Sequence, residues 1–72
     1  MEMSTKITII LNGHPHETGD GGTVESLLRD LGMDGKPLVV ELDEVAVFPR
    51  DYAHTAVPAG ARVEMVVLAA GG

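Results

Sequence analysis

Apolar and polar residues alternate near the start of the 72-residue chain, which is the pattern of a half-buried strand. The apolar positions of this period of two are Ile7, Ile9 and Leu11. They lead into Asn12-Gly13, a dipeptide that favours a two-residue hairpin turn because both residues tolerate positive φ. A second, short strand should run to about Glu17, and Pro15 places that strand at a sheet edge.

The next segment has the spacing of an amphipathic helix. Its apolar residues recur at intervals of three and four: Val24, Leu27, Leu28 and Leu31. Thr23 is suited to the N-cap position, and Gly32 to the C-cap. The sequence therefore predicts one helix that buries a single apolar face.

Short strands return in the second half of the chain. A strand at 38–42, a tight turn at Asp43-Glu44 and a brief strand at 45–47 are followed by an irregular or 3₁₀ turn at 50–55 and a last strand at 62–68. One helix covers one face of a sheet, so the order predicts an α+β layer with a mixed sheet of four to five strands. The last strand should lie at the centre, parallel to the first, in the β-grasp or ubiquitin-like arrangement. We expect one domain over residues 1–72 with a flexible tail at 69–72.

Composition narrows the possible functions. Hydrophobic residues make up 44% of the chain and aromatic residues are scarce, which predicts an aliphatic core. The net charge of −6, from 11 acidic and 5 basic residues, argues against binding to nucleic acid and favours binding to a basic protein surface. The absence of cysteine excludes disulfides, thiolate nucleophiles and zinc–cysteine sites. The apolar stretch near the start is too short for a signal peptide or a membrane span, so we expect a cytoplasmic protein that makes no membrane contact. We also expect the free protein to be a monomer.

Two motifs are weak candidates for chemistry. His14 and His16 lie at strand spacing beside Glu17, but no third metal ligand is nearby and His54 is distant in sequence. The Gly-rich loop at 19–23 precedes the helix but lacks the Lys-Ser/Thr end of a phosphate-binding loop and contains an aspartate. We expect no metal site and an ordinary solvent-exposed loop.

The end of the chain is the stronger candidate. Ala69 and Ala70 lead into Gly71 and Gly72, and a passive, frayed terminus is the alternative interpretation. Glycine has no β-carbon, so such an end can pass through a channel too narrow for other residues. It also presents an unhindered carboxylate, which can attack the α-phosphate of ATP. We predict that residues 69–72 are mobile in the free protein and that Gly72 is the reactive residue.

The last strand itself is unusual for one covered on a single face. One set of alternate positions should face the helix: Val63, Met65 and Val67. The other set should face away from the helix, and it is polar at Arg62 and Glu64 but apolar at Val66 and Leu68. Ile10 on the first strand also points outward and is expected to extend this surface. The alternative is a central strand buried on both sides. We predict instead that these residues form a docking patch that grips a partner while the tail enters its active site.

Stretches along nearly the whole chain resemble the ThiS sulfur-carrier family of thiamine biosynthesis and, more distantly, MoaD, the small subunit of molybdopterin synthase. They are ITIILNGHP, GGTVESLLRDLG, VVELDEVAVFPRDYAHT, VPAGARVEMVV and the closing GG. Asp43-Glu44 departs from the Asn-Gly of many members, which leaves only the turn type open.

The resemblance implies a carrier and not an enzyme. An ATP-dependent activating enzyme (ThiF-like) would adenylate Gly72, with Gly71 in support, and a sulfurtransferase system would convert the adenylate to a thiocarboxylate. Thiazole synthase (ThiG-like) would take the sulfur. ATP and the sulfur donor would be used through these partners, so the chain itself would bind no cofactor. The alternatives are a MoaD-like carrier for molybdopterin, a ubiquitin-like protein modifier and a structural module with a passive tail.

Overall fold

The computed structural model describes residues 5–68, which form a five-stranded mixed sheet with one α-helix and one 3₁₀-helix. The elements are β1 (Lys6–Leu11), β2 (His14–Gly19), α1 (Val24–Asp30), β3 (Leu38–Leu42), β4 (Val45–Val47), a 3₁₀-helix (Pro49–His54) and β5 (Arg62–Val67). The strand order is β2-β1-β5-β3-β4, with β5 parallel to β1 and antiparallel to β3. The predicted β-grasp arrangement, with the last strand at the centre beside the first, is confirmed.

The first hairpin forms as its sequence predicts. Asn12 and Gly13 have φ values of 48° and 85°, so both residues of the turn lie in the left-handed region. β2 continues to Gly19, two residues beyond the predicted end at Glu17. It is an edge strand, which explains why Pro15 is tolerated there.

The helix begins at the predicted N-cap and is held by a reciprocal pair of hydrogen bonds. The Thr23 hydroxyl oxygen accepts from the Ser26 N–H (3.2 Å), and the Ser26 hydroxyl oxygen accepts from the Thr23 N–H (2.8 Å). The C-cap is Leu31 and not Gly32, because the left-handed glycine, with φ of 71°, occupies the position after the cap. Between residues 5 and 68, no helix is both long and apolar enough to cross a membrane.

The second turn joins β3 to β4 and also contacts β5. Asp43 and Glu44 have φ values of 49° and 71°, so this pair adopts the same left-handed turn that Asn-Gly favours. The Asp43 N–H donates to the Arg62 carbonyl oxygen (2.8 Å), and its carboxylate accepts from the Arg62 N–H (2.9 Å). The turn therefore fixes the position at which β5 begins.

The core lies between α1 and one face of the sheet, and it is aliphatic, as the composition predicts. Its buried residues are Ile9, Val24, Leu27, Leu28, Val40, Val57, Ala61, Val63 and Met65. Tyr52 packs against this cluster from the 3₁₀-helix but stays partly exposed. The opposite face of the sheet has no helix over it among the described residues.

The prediction that Val67 is covered by the helix is wrong. Its parity matches that of the buried Val63 and Met65, but Val67 is 49% exposed. A helix of seven residues is about 10 Å long, whereas a strand of six residues spans about 20 Å. The helix is therefore too short to cover the whole strand, and the last residue of β5 is left open.

Candidate functional site: the open sheet face near the end of β5

The two residues near the end of β5 that the sequence predicts to point outward are both exposed to solvent. Val66 is 59% exposed and Leu68, the last described residue, is 48% exposed. The antiparallel register places Val39 of β3 directly opposite Val66, and Val39 is 43% exposed. We call these three side chains, Val39, Val66 and Leu68, the apolar patch. Exposed aliphatic residues grouped in this way mark interaction surfaces more often than isolated ones do.

Sequence reasoning missed Val39. The parity of β3 is readable, since Val39 alternates with the buried Val40. What the sequence does not show is which residue of β5 lies opposite, and that register brings two valines together on the open face.

Acidic residues border the apolar patch along the same face. Glu41 of β3 and Glu64 of β5 lie two pairs along the register from Val39 and Val66, and they form the next pair on this face of the sheet. Neither carboxylate forms an ion pair with any residue in the range 5–68. The open face thus combines exposed apolar residues near the end of β5 with two acidic side chains that form no ion pair among residues 5–68.

Ile10 lies farther away than its parity suggested. It is half-buried, and the parallel register pairs it with Arg62 at the opposite end of β5 from Val66. Four residues of strand correspond to about 13 Å. The fold therefore places Ile10 on the open face but does not bring it next to the apolar patch.

Leu68 connects the sheet to the predicted reactive end. Its N–H donates to the Pro37 carbonyl oxygen (2.8 Å), which continues the pairing of β5 with the chain before β3. Leu68 also borders a groove of about 520 Å³ whose other lining residues are Gly35, Lys36, Pro37, Leu38, Pro49 and Tyr52. The predicted site residues Ala69, Ala70, Gly71 and Gly72 lie outside the described residues, so their mobility and reactivity remain predictions.

The fold does not bring together the residues of the other two candidate sites, the histidines and the Gly-rich loop, into an arrangement that favours a ligand. His14 and His16 lie on the edge strand β2, whereas His54 borders a groove beside β4 at the opposite edge of the sheet. No group of three potential metal ligands occurs within residues 5–68. The Gly-rich loop borders a groove that also contains the carboxylates of Asp20 and Asp30, which are unfavourable for a phosphate.

Comparison with known proteins extends the similarity through the terminal glycines. The model of the ThiS family matches residues 9–72. The crystal structure of a thiamine biosynthesis protein, ThiS, from Geobacter metallireducens superposes with a TM-score of 0.76 at 28% identity and covers 92% of this chain and 100% of that one. A thiazole synthase from Paramagnetospirillum magneticum is 34% identical over 64 residues, which are 89% of this chain but 20% of the length of that protein.

Proposed function

The chain belongs to the ThiS family, and from this premise we propose that it is a sulfur carrier for thiamine biosynthesis. The observation that carries the proposal is the extent of the match, which runs from Ile9 through the two terminal glycines. The similarity in fold to a thiamine biosynthesis protein, over the whole of its crystallised chain, supports it. A sulfur carrier is a substrate of other enzymes and not an enzyme itself.

The proposed chemistry takes place at the carboxylate of Gly72. A carboxylate oxygen attacks the α-phosphorus of ATP, pyrophosphate leaves, and an acyl-adenylate results. A sulfide-level nucleophile from the sulfur donor then attacks the carbonyl carbon, and AMP leaves with the bonding electron pair. The product is a thiocarboxylate, whose sulfur is available to an acceptor enzyme. The absence of cysteine fits this scheme, because the sulfur is held by the main chain and no side-chain thiol is needed.

Nucleotide binding is assigned to an activating partner and not to this chain. Glycine at the last two positions lets the end of the chain enter a narrow active site, since it has no β-carbon. In this scheme the apolar patch docks on the partner while residues 69–72 reach its ATP. The neighbouring carboxylates of Glu41 and Glu64 favour a partner surface that is at least partly basic, and such complementarity increases the rate of association.

Thiazole synthase is the proposed sulfur acceptor. The relative from Paramagnetospirillum magneticum carries that name, and this chain matches only a short segment of it. In that protein, a segment similar to this chain is part of the same polypeptide as the much longer rest of the thiazole synthase. Such a covalent link supports a functional association between the carrier and the synthase.

Reconstitution with purified partners tests the acceptor. The chain is activated with a ThiF-like enzyme, ATP and a sulfur donor, and is then mixed either with thiazole synthase or with the large subunit of molybdopterin synthase. We expect stable binding to thiazole synthase and loss of the sulfur from the carrier when the substrates of that enzyme are added. Transfer to the molybdopterin-synthase subunit alone would assign the chain to the other pathway.

A further inference from the structure

The side chain of Asn12 bonds to the last strand near its C-terminal end. Asn12 follows β1 as the first residue of the hairpin turn, and its own N–H donates to the Val63 carbonyl oxygen (2.8 Å). Its side-chain Oδ1 accepts from the Met65 N–H (2.7 Å), and its Nδ2 donates to the Met65 carbonyl oxygen (3.2 Å). One carboxamide therefore binds both main-chain groups of a residue that is 53 positions away.

These two bonds take the place of a missing stretch of β1. The parallel pairing of β1 with β5 comprises two residue pairs, Ile10 with Arg62 and Leu11 with Val63. β5 continues to Val67, but β1 has already turned away. A side-chain amide has the same donor and acceptor groups as a peptide unit, so Asn12 supplies the next position of the ladder after the main chain has left.

Met65 is the last residue of β5 that is bonded on this side within residues 5–68. After it, the described chain is attached only to the β3 side, through the pairs Val39–Val66 and Leu38–Val67 and the bond from the Leu68 N–H to the Pro37 carbonyl oxygen. Val66, in the apolar patch, directly follows Met65. Asn12 thus fixes the strand immediately before the surface and the terminus that the proposed function uses.

We propose that Asn12 is a positioning residue for the activation of Gly72. By holding Met65, its side chain fixes the position and direction of the end of β5. Residues 69–72 can then enter the active site of the activating enzyme while the apolar patch is docked on that enzyme. If the end of β5 were loose, ordering it each time the chain binds the activating enzyme would cost conformational entropy. A strand end that is already held in place avoids this cost. This inference rests on the proposed carrier function and assigns a role to a residue distant from Gly72 in sequence.

Asn12→Gly is the informative variant. Glycine accepts the positive φ of the turn without strain, so this change removes the carboxamide and leaves the hairpin conformation available. We expect the Met65 amide to lose protection from hydrogen exchange while the buried Ile9 and Val40 amides keep theirs. We also expect KM for adenylation by the activating enzyme to rise by about tenfold with little change in kcat. Asn12→Asp keeps the acceptor but loses the donor, and it should retain Met65 amide protection while giving a smaller rise in KM.

Thr23→Ala is the control for loss of stability. It removes the helix cap, which lies on a different element from β5, and should lower global stability without raising KM. The inference is wrong if Asn12→Gly keeps Met65 protected, is adenylated with the parent's KM, or is impaired no more than Thr23→Ala. Failure of the parent chain to be adenylated would instead overturn the proposed function, so the two failures are distinguishable.

Discussion

Glu41 on β3 lies directly opposite Glu64 on β5, on the face of the sheet that α1 does not cover. Like charges at opposite positions of an antiparallel pair destabilise the sheet. The fold retains this pair beside the apolar patch, where a basic partner surface would neutralise it. The arrangement therefore predicts opposite effects on folding and on binding when one charge is removed.

Glu64→Gln should stabilise the free protein by about 0.5 kcal/mol, because it removes the repulsion and keeps the size of the side chain. The same change should slow association with the activating enzyme at low ionic strength, and added salt should reduce the difference because screening weakens charge steering. Urea unfolding and stopped-flow association measure the two effects. Glu17→Gln is the matched control, since it makes the same charge change on the edge strand β2. Equal effects from both variants would leave only net charge as the cause.

Val66→Lys tests the apolar patch. The side chain is well exposed, so the free energy of unfolding should change by less than about 0.5 kcal/mol. Binding to the activating enzyme should weaken by about 2 kcal/mol, a value typical of a central contact, and Leu68→Asp should act in the same direction. Val45→Lys is a suitable control because Val45 is also an exposed strand valine, 67% exposed, but lies on the edge strand β4. An unfolded Val66→Lys variant, or one that binds as the parent does, would contradict a docking role.

Glu44→Gly should stabilise the protein by about 0.5–1 kcal/mol, because a non-glycine residue in the left-handed region is strained by about 1–2 kcal/mol and glycine loses some of that gain to entropy. Urea unfolding measures the change. Glu44→Ala removes the same carboxylate but keeps a β-carbon, so it should give no such gain. Equal stabilisation by the two substitutions would point to charge and not to backbone strain.

One added residue after Gly72 should abolish adenylation and leave the fold unchanged. The reactive carboxylate would then belong to a different residue, displaced by one position from the α-phosphate of ATP. ATP–pyrophosphate exchange with the activating enzyme gives the rate, and far-ultraviolet circular dichroism checks the fold. A chain with one extra residue at its N-terminus is the control and should react normally. Normal activation of the C-terminally extended chain would exclude Gly72 as the reactive residue.

The elements of the fold follow from local sequence signals. Asn12-Gly13 predicts its turn from two adjacent residues, and Thr23 predicts the start of α1 from the segment that it caps. The parity of β5 also predicts that Val66 faces away from the core, and its exposure agrees. Each of these predictions depends on interactions within a few residues.

The remaining features depend on long-range register, which local patterns do not contain. The Asn12 side chain was expected only to favour a turn, yet it bonds to Met65 across 53 positions. The pairing of Val39 with Val66 requires the alignment of β3 with β5. Val67 was assigned to the wrong environment because parity indicates the direction of a side chain but not how far along a strand the helix extends.

The intact mass of the chain shows whether Gly72 is converted to a thiocarboxylate. The protein is incubated with the activating enzyme, ATP and a sulfur donor, and is compared with a sample that lacks ATP and with the chain lacking Gly72. We predict that the full chain, and not the chain lacking Gly72, gains the mass difference between one sulfur and one oxygen atom, and that it does so only when ATP is present. Fragmentation should locate the added mass at Gly72. An unchanged mass under conditions in which the activating enzyme is active, or conjugates of higher mass joined through lysine, would contradict this prediction.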